Sequence, residues 1–360
     1  MTSTDNSKRN FGLDAARAVA ISLVLCSHFY RPTEALGIYG VELFFVLSGF
    51  LIGGILLRTL AGNPNGFGIG DLSQFWIRRW FRTLPNYYLF LLLYFLLFPP
   101  AHGAHVGPYL VFLQNFAWPT PDFAGHTWSL TIEEWFYLLF PLTILLTSLG
   151  KHSGKNAATN RFLLATAIFV IVPSILRFTQ PLWLTPQDPR MIVVCRLDAM
   201  MCGVFLAYLR RQGTRWDLLV RLWPVGLLGI AASFALISGA SYAFQAFAYS
   251  VIPFSFALIL PKCESLKRVG GFVGFAVERV SVWSYSLYLS HILVYFEIMR
   301  LTGYEQLGTL GKTFVKVLSL VTAFAVSAAT YHFFERPCTN LRERWRSAST
   351  RNRARAVHES

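Results

Sequence analysis

Apolar stretches punctuate the chain near residues 12–30, 39–57, 83–100, 128–149, 161–178, 193–209, 219–239, 244–261, 280–299 and 314–335. Each is close to the roughly 20 residues that a helix needs to cross a hydrocarbon core of about 30 Å. Only structures that satisfy their own backbone hydrogen bonds survive in that core, and a helix does so within one segment. The pattern therefore predicts an all-α, polytopic integral membrane protein of about ten transmembrane helices. Composition agrees, with 54% hydrophobic, 16% aromatic and only 14% charged residues among 360, far more apolar than a soluble enzyme of this size.

Charge placement tests the ten-span reading, because Lys and Arg concentrate in cytoplasmic loops. With the N-terminus inside, 24 of the 32 basic residues fall in the N-tail, the alternate loops 58–82, 150–161, 210–221 and 262–279, and the C-tail. Six lie in or beside the opposite loops, namely Arg31, Arg177, Arg190, Arg196, Arg300 and Lys312, while Arg17 and Lys316 fall inside spans. Both termini are thus expected in the cytoplasm, with a tail at 1–11, a membrane domain at 12–337 and a basic C-terminal tail at 338–360. The net charge of +14 is read as meeting anionic lipid headgroups, and no nucleic-acid partner is assigned.

Lys8 and Arg9 precede an apolar run as in a signal peptide, but Arg17 interrupts that run and no small-residue cleavage site follows, so a retained first helix is expected. The five cysteines form no C-x-x-C pair and none lies in a long outer loop, which argues against disulfides and zinc. No metal is assigned.

Ionisable groups inside apolar runs are costly and mark pathways or reaction centres. In LDAARAVAISLVLCSHFY, Arg17 and His28 stand eleven residues apart, which returns them to nearly the same helix face about 16 Å apart along the axis. The next run, GVELFFVLSGFLIGGIL, carries Glu42 near its outer end, and its Ser and Gly positions suit close helix packing. The loop before span three ends FWIRRWFRTLPNYY, where Arg78, Arg79 and Arg82 form either a positive-inside anchor or a phosphate site. Guanidinium forks match phosphate oxygens, and a cytosolic phosphorylated donor such as a coenzyme A thioester would fit there.

The outer loop 99–127 has no Lys or Arg and leads into HTWSLTIEEWFYLLFPL. Glu133 is expected to be a buried partner of Arg or His, able to orient a catalytic imidazole, whereas Glu134, turned by about 100° on the helix, is read as an interfacial group. CRLDAMMCG places Arg196 and Asp198 near the start of span six, either in ion pairs or holding an acceptor. WSYSLYLSHILVY places His291 mid-span, as a packing group or a ligand for substrate. His102, His105 and His126 lie in the wet outer loop and need no special role.

The order and spacing of LDAAR with His28, GVELFFVLSGFLIGGIL, RRWFRTLP, TWSLTIEEWFYL, RLDAMMCG, YSLYLSH and FFERP, from Leu13 to Pro337, resemble acyltransferase family 3, a family of bacterial integral membrane O-acyltransferases. The resemblance implies ten or so helices in the cytoplasmic membrane, an acyl-CoA donor, often acetyl-CoA, and a hydroxyl acceptor, usually a carbohydrate or glycolipid of the envelope. It matches the family's Arg and His to Arg17 and His28, its Arg-x-x-Arg to Arg79 and Arg82, and its Glu to Glu133. Ala15-Ala16 and Trp135 depart from a common Gly-Leu and Gln, which bears on the acceptor. With no fused extracytoplasmic domain in view, the chain is expected to act alone or with separate envelope glycan assembly proteins.

The mechanism so expected has His28 as general base on the acceptor hydroxyl, Arg79 and Arg82 on the donor phosphates, and Glu133 tuning His28. Arg17 guides the pantetheine arm or stabilises an oxyanion. A covalent acyl-His28 variant, a proton-coupled transporter and a non-enzymatic member of a glycan assembly complex remain as alternatives at this point.

Overall fold

A computed structural model describes residues 9–62, 67–100, 105–148, 157–184, 188–213, 215–239 and 241–341. Residues 1–8 of the N-tail, His102, and the C-tail beyond 341 lie outside the described residues. Among those described, ten helices have eleven residues or more and no strand occurs. In chain order they are α1 (Phe11–Phe29), α2 (Leu36–Gly62), α3 (Ile69–Leu97), α4 (Trp128–Ser148), α5 (Ala157–Trp183), α6 (Met201–Arg211), α7 (Trp223–Ile237), α8 (Tyr242–Glu264), α9 (Gly271–Thr302) and α10 (Thr309–Thr330). Each predicted span has its helix, and the protein is an all-α polytopic membrane protein. Six helical stretches among the described residues are long and apolar enough to cross a bilayer by length and composition: α1, α2, α4 with the turn before it, α5, α8, and α10 with its extension to Leu341.

Two boundaries differ from the sequence reading for physical reasons. The span expected at 193–209 begins not as α-helix but as a 3-10 turn, Val193–Cys195, just after another at Pro189–Met191, and α-helix starts only at Met201. The amides of Val193 and Val194 donate to the Asn115 and Phe116 carbonyls, at 3.0 and 3.1 Å. A hydropathy window counts apolar side chains and cannot see this alternative use of backbone donors. The second difference is α3, which starts at Ile69, so Arg78, Arg79 and Arg82 sit on a helix rather than in a loop.

The chain forms two compact units. The first comprises residues 1–69 and 105–284. In it α1 packs on α2, α2 on α6, α4 on α5, and α7 on α8. Lipid tails are as apolar as leucine, so close packing rather than hydrophobicity must join such helices. At the α2–α6 crossing a Cβ on Gly49 would lie 1.9 Å from the Met200 carbonyl oxygen, and one on Gly203 would lie 2.0 Å from that of Val46. Only glycine at both positions allows this approach. Between α4 and α5 the rings of Phe140 and Phe162 meet edge on at 5.8 Å, and those of Phe140 and Phe169 at 5.3 Å, an edge-to-face geometry that aromatic quadrupoles prefer.

The second unit comprises residues 70–104 and 285–360, and among its described residues holds most of α3, the C-terminal part of α9, and α10. Its interior combines buried apolar side chains such as Phe90, Leu287 and Leu289 with polar contacts. Ser286 Oγ donates to Glu335 Oε2 at 2.6 Å, and Asn86 Nδ2 reaches both at 3.0 and 3.3 Å. Glu335 ends a π-helical turn, Tyr331–Glu335, that continues α10. Tyr285 Oη donates to the Thr83 carbonyl at 2.8 Å, and Ser290 shares a hydrogen bond with Ser327 at 2.9 Å.

Candidate active site

The first helix begins where the Asn10 side chain accepts from the Leu13 amide at 3.0 Å, which satisfies one of the helix's orphan donors. Arg17 lies in its second turn and His28 in its last. The Asp14 carboxylate, 2% exposed, gathers the first end: Arg9 reaches it at 2.7 Å, Arg17 at 3.3 Å and Ser281 Oγ at 2.8 Å. His28 is exposed, and the charges of Arg190 and Glu34 both act on it. Because α1 is helical throughout, Arg17 stands about 16 Å along the axis from His28, too far for its guanidinium to serve an atom reacting beside the imidazole.

Residues 188–194 bring Arg190 within electrostatic reach of His28. Asp188 caps the first 3-10 turn, accepting the Arg190 amide at 2.9 Å, and pairs with the Arg190 guanidinium at 3.3 Å. Tyr249 Oη donates to the same carboxylate at 2.9 Å. The Arg190 guanidinium lies 5.2 Å from the centre of the Trp128 ring, a cation–π distance. Asn115 ties the neighbouring loop down by donating to the Met191 carbonyl at 2.5 Å and to that of Trp128 at 3.2 Å. In that loop, burial, with the Asp122 carboxylate nearby, pushes the Tyr109 phenol above its usual range, and its hydroxyl donates to the Phe123 carbonyl.

Beneath lies a buried ion network. Arg196 pairs with Glu42, both shut off from solvent, donates to the Tyr249 carbonyl at 2.7 Å and lies over the Tyr249 ring. Arg177, fully buried, pairs with Asp198 at 2.7 Å and donates to Ser250 Oγ at 2.6 Å. Arg196 and Asp198 approach at 4.0 Å. Opposed charges are what make such burial tolerable, although Arg177 Nε and Arg196 Nε are buried without a hydrogen-bond partner among the described residues. Of the two readings of Arg196 and Asp198, ion pairing or holding an acceptor, the ion pairs are present, and Glu42 joins them in an interior frame.

Glu133 is half-buried and accepts from Ser48 Oγ at 2.5 Å. Glu134, expected at the interface, is the more buried of the two at 8% exposure. The cause is register: α4 packs against α5 and α2, and the turn from 133 to 134 carries the second carboxylate inward. His291 is fully buried, its Nδ1 at 3.0 Å from the Leu287 carbonyl one turn back. In the second unit Arg78 and Arg79 are half-buried and Arg82 exposed on α3, and the Arg79 guanidinium lies 5.9 Å from the Phe75 ring centre. Arg82 also acts on the buried Glu335. Among the described residues no set of three or more His, Cys, Asp or Glu side chains is placed to hold a metal ion.

Asp14, Arg177, Asp188, Arg190 and Tyr249 carry this geometry without having been singled out as site residues. A signal for two existed, since Arg177 and Arg190, like Arg196, are exceptions to the charge rule. An arginine on the wrong side of a membrane needs a partner.

Several known proteins resemble this chain in sequence. OatA of Staphylococcus aureus, an O-acetyltransferase, is 25% identical over 362 residues, covering 91% of this chain and 56% of its own. The YrhL protein of Bacillus subtilis is 25% identical over 373 residues, 91% of this chain and 54% of its own. The peptidoglycan O-acetyltransferase OatA of Listeria monocytogenes is 32% identical over 154 residues, 37% of this chain and 24% of its own. The chain thus spans about half the length of the curated relatives that it matches from end to end. No solved structure matches it. The profile of the acyltransferase domain of family 3 matches residues 10–332, and the chain belongs to that family.

Proposed function

We propose that this chain is a membrane O-acyltransferase that moves an acyl group, acetyl in the first instance, from a cytosolic acyl-CoA to a hydroxyl of an envelope carbohydrate. Family membership supports the reaction class, and relatives named as O-acetyltransferases support acetyl; the Listeria relative's name points to a peptidoglycan-like glycan. The distribution of basic residues supports a bacterial cytoplasmic membrane with both termini inside.

The observation that carries the reading is an exposed imidazole, His28, in the last turn of a membrane helix. It takes the proton of the acceptor hydroxyl as the oxygen attacks the thioester carbonyl, and the coenzyme A thiolate leaves with a proton. A positioned base of this kind contributes about 10²–10⁴-fold. Arg79 and Arg82, with Arg78 beside them, bind donor phosphates as guanidinium forks, and Arg17 takes the pantetheine arm. Glu133 is a positioning residue, and Glu42, Arg196, Asp198 and His291 shape the acceptor side from within. Envelope glycan assembly proteins are the partners this role implies.

The test is His28→Ala in membranes supplied with labelled acetyl-CoA and peptidoglycan fragments. Transfer should fall at least about 100-fold at an unchanged protein level. Normal transfer overturns the assignment. A transporter or an assembly component consumes no thioester in either form.

A further inference from the structure

As the acceptor oxygen bonds to the thioester carbon, the carbonyl pair moves onto its oxygen while the hydroxyl proton passes to the base. The oxyanion then collapses, the C–O double bond re-forms, the C–S bond breaks and the thiolate departs with a proton. Fixed hydrogen-bond donors aimed at that oxyanion are often the largest single catalytic contribution. Arg17 cannot supply them, because α1 holds it about 16 Å along the helix from His28.

Arg190 has the features that such a donor requires. Its backbone is pinned by the Asp188 cap and by Asn115 on Met191, and its guanidinium by Asp188 at 3.3 Å and the Trp128 face at 5.2 Å. Asp188 is itself held by Tyr249. Nε is buried, yet the side chain keeps 17% of its exposure, and among the described residues neither Nη group makes a hydrogen bond. Two N–H-bearing groups of a held, partly exposed guanidinium are therefore without an acceptor among the described residues. Their charge acts on both the exposed His28 and the buried Glu42. A cation beside a base that must accept a proton is unfavourable unless an anion forms between them, and the reaction makes that anion.

We infer that Arg190 is a catalytic residue of this site, its Nη groups donating to the oxyanion formed at the thioester carbonyl beside His28. The inference rests on the O-acyltransferase reading. The purified chain is assayed for coenzyme A released from acetyl-CoA, with soluble peptidoglycan fragments as acceptor. Arg190→Gln should lower kcat about 100-fold, the order expected for a lost oxyanion donor, with KM for both substrates within about twofold; Arg190→Lys should recover part. Added methylguanidinium should restore turnover to Arg190→Gly and leave His28→Ala inactive.

Asp188→Asn separates this from a structural role, because it loosens the same loop while keeping the guanidinium, so its kcat should stay well above that of Arg190→Gln. A normal kcat in Arg190→Gln, equal losses in Asp188→Asn and Arg190→Gln, or no guanidinium rescue overturns the inference. No release by the native chain, or full release by His28→Ala, overturns the acyltransferase reading itself.

Discussion

Glu42 and Arg196, 154 residues apart in sequence, form an ion pair from which solvent is wholly excluded. Neither charge has water to fall back on. Glu42→Gln or Arg196→Met alone should cost about 3–5 kcal/mol, because each strands one charge in the interior. The double variant should cost less than the sum of the two. Thermal unfolding in detergent of the two single variants and the double variant checks this, and additive losses would mean that the pair is not coupled.

The α2–α6 crossing should be intolerant of any side chain. Gly203→Ala puts a carbon 2.0 Å from the Val46 oxygen, so the helices must separate and the protein should unfold at a clearly lower temperature or fail to accumulate. Gly107→Ala meets nothing within 4 Å and should stay within about 0.5 kcal/mol of the native chain.

Ser48 and Glu133 offer a graded comparison. Ser48→Ala removes one hydrogen bond to a carboxylate, a change of about 1.5–3 kcal/mol, and should lower kcat less than Glu133→Gln, which removes the charge. The reverse order in steady-state kinetics would return Glu133 to a packing role.

Arg79→Ala and Arg82→Ala should raise KM for acetyl-CoA and leave that for the acceptor unchanged. Unchanged donor affinity, measured directly by calorimetry, would make these arginines membrane anchors. His291→Leu offers a contrast. Its Nδ1 faces a backbone carbonyl of its own helix, so stability should fall while kcat changes less than about threefold. A large rise in acceptor KM would instead show that the imidazole touches substrate.

The helices were legible because bilayer thickness and apolar run length are tied by one physical constant, the rise per residue. What escaped were sites where polar groups satisfy one another across long sequence separations. Periodicity says that Arg196 and Asp198 diverge on a helix, yet the chain at 196–200 is not helical and the two approach at 4.0 Å. Glu133 and Glu134 are equivalent to any window, and only the packing of α4 tells them apart. Arg190 was visible as a charge on the disfavoured side, but the Trp128 ring beneath it and the Tyr249 hydroxyl that holds its partner Asp188 are each about 60 residues away in sequence. No local pattern joins them.

The tie between residues 115–116 and 191–194 has a dynamic consequence. The amides of Val193 and Val194 find their acceptors on the 105–127 loop, and Asn115 closes the same junction with its side chain. Neither strip can open alone without baring backbone groups of the other, so the two should exchange their amide protons as one cooperative unit. Opening at this junction would then follow one shared clock, distinct from the motions of the individual helices.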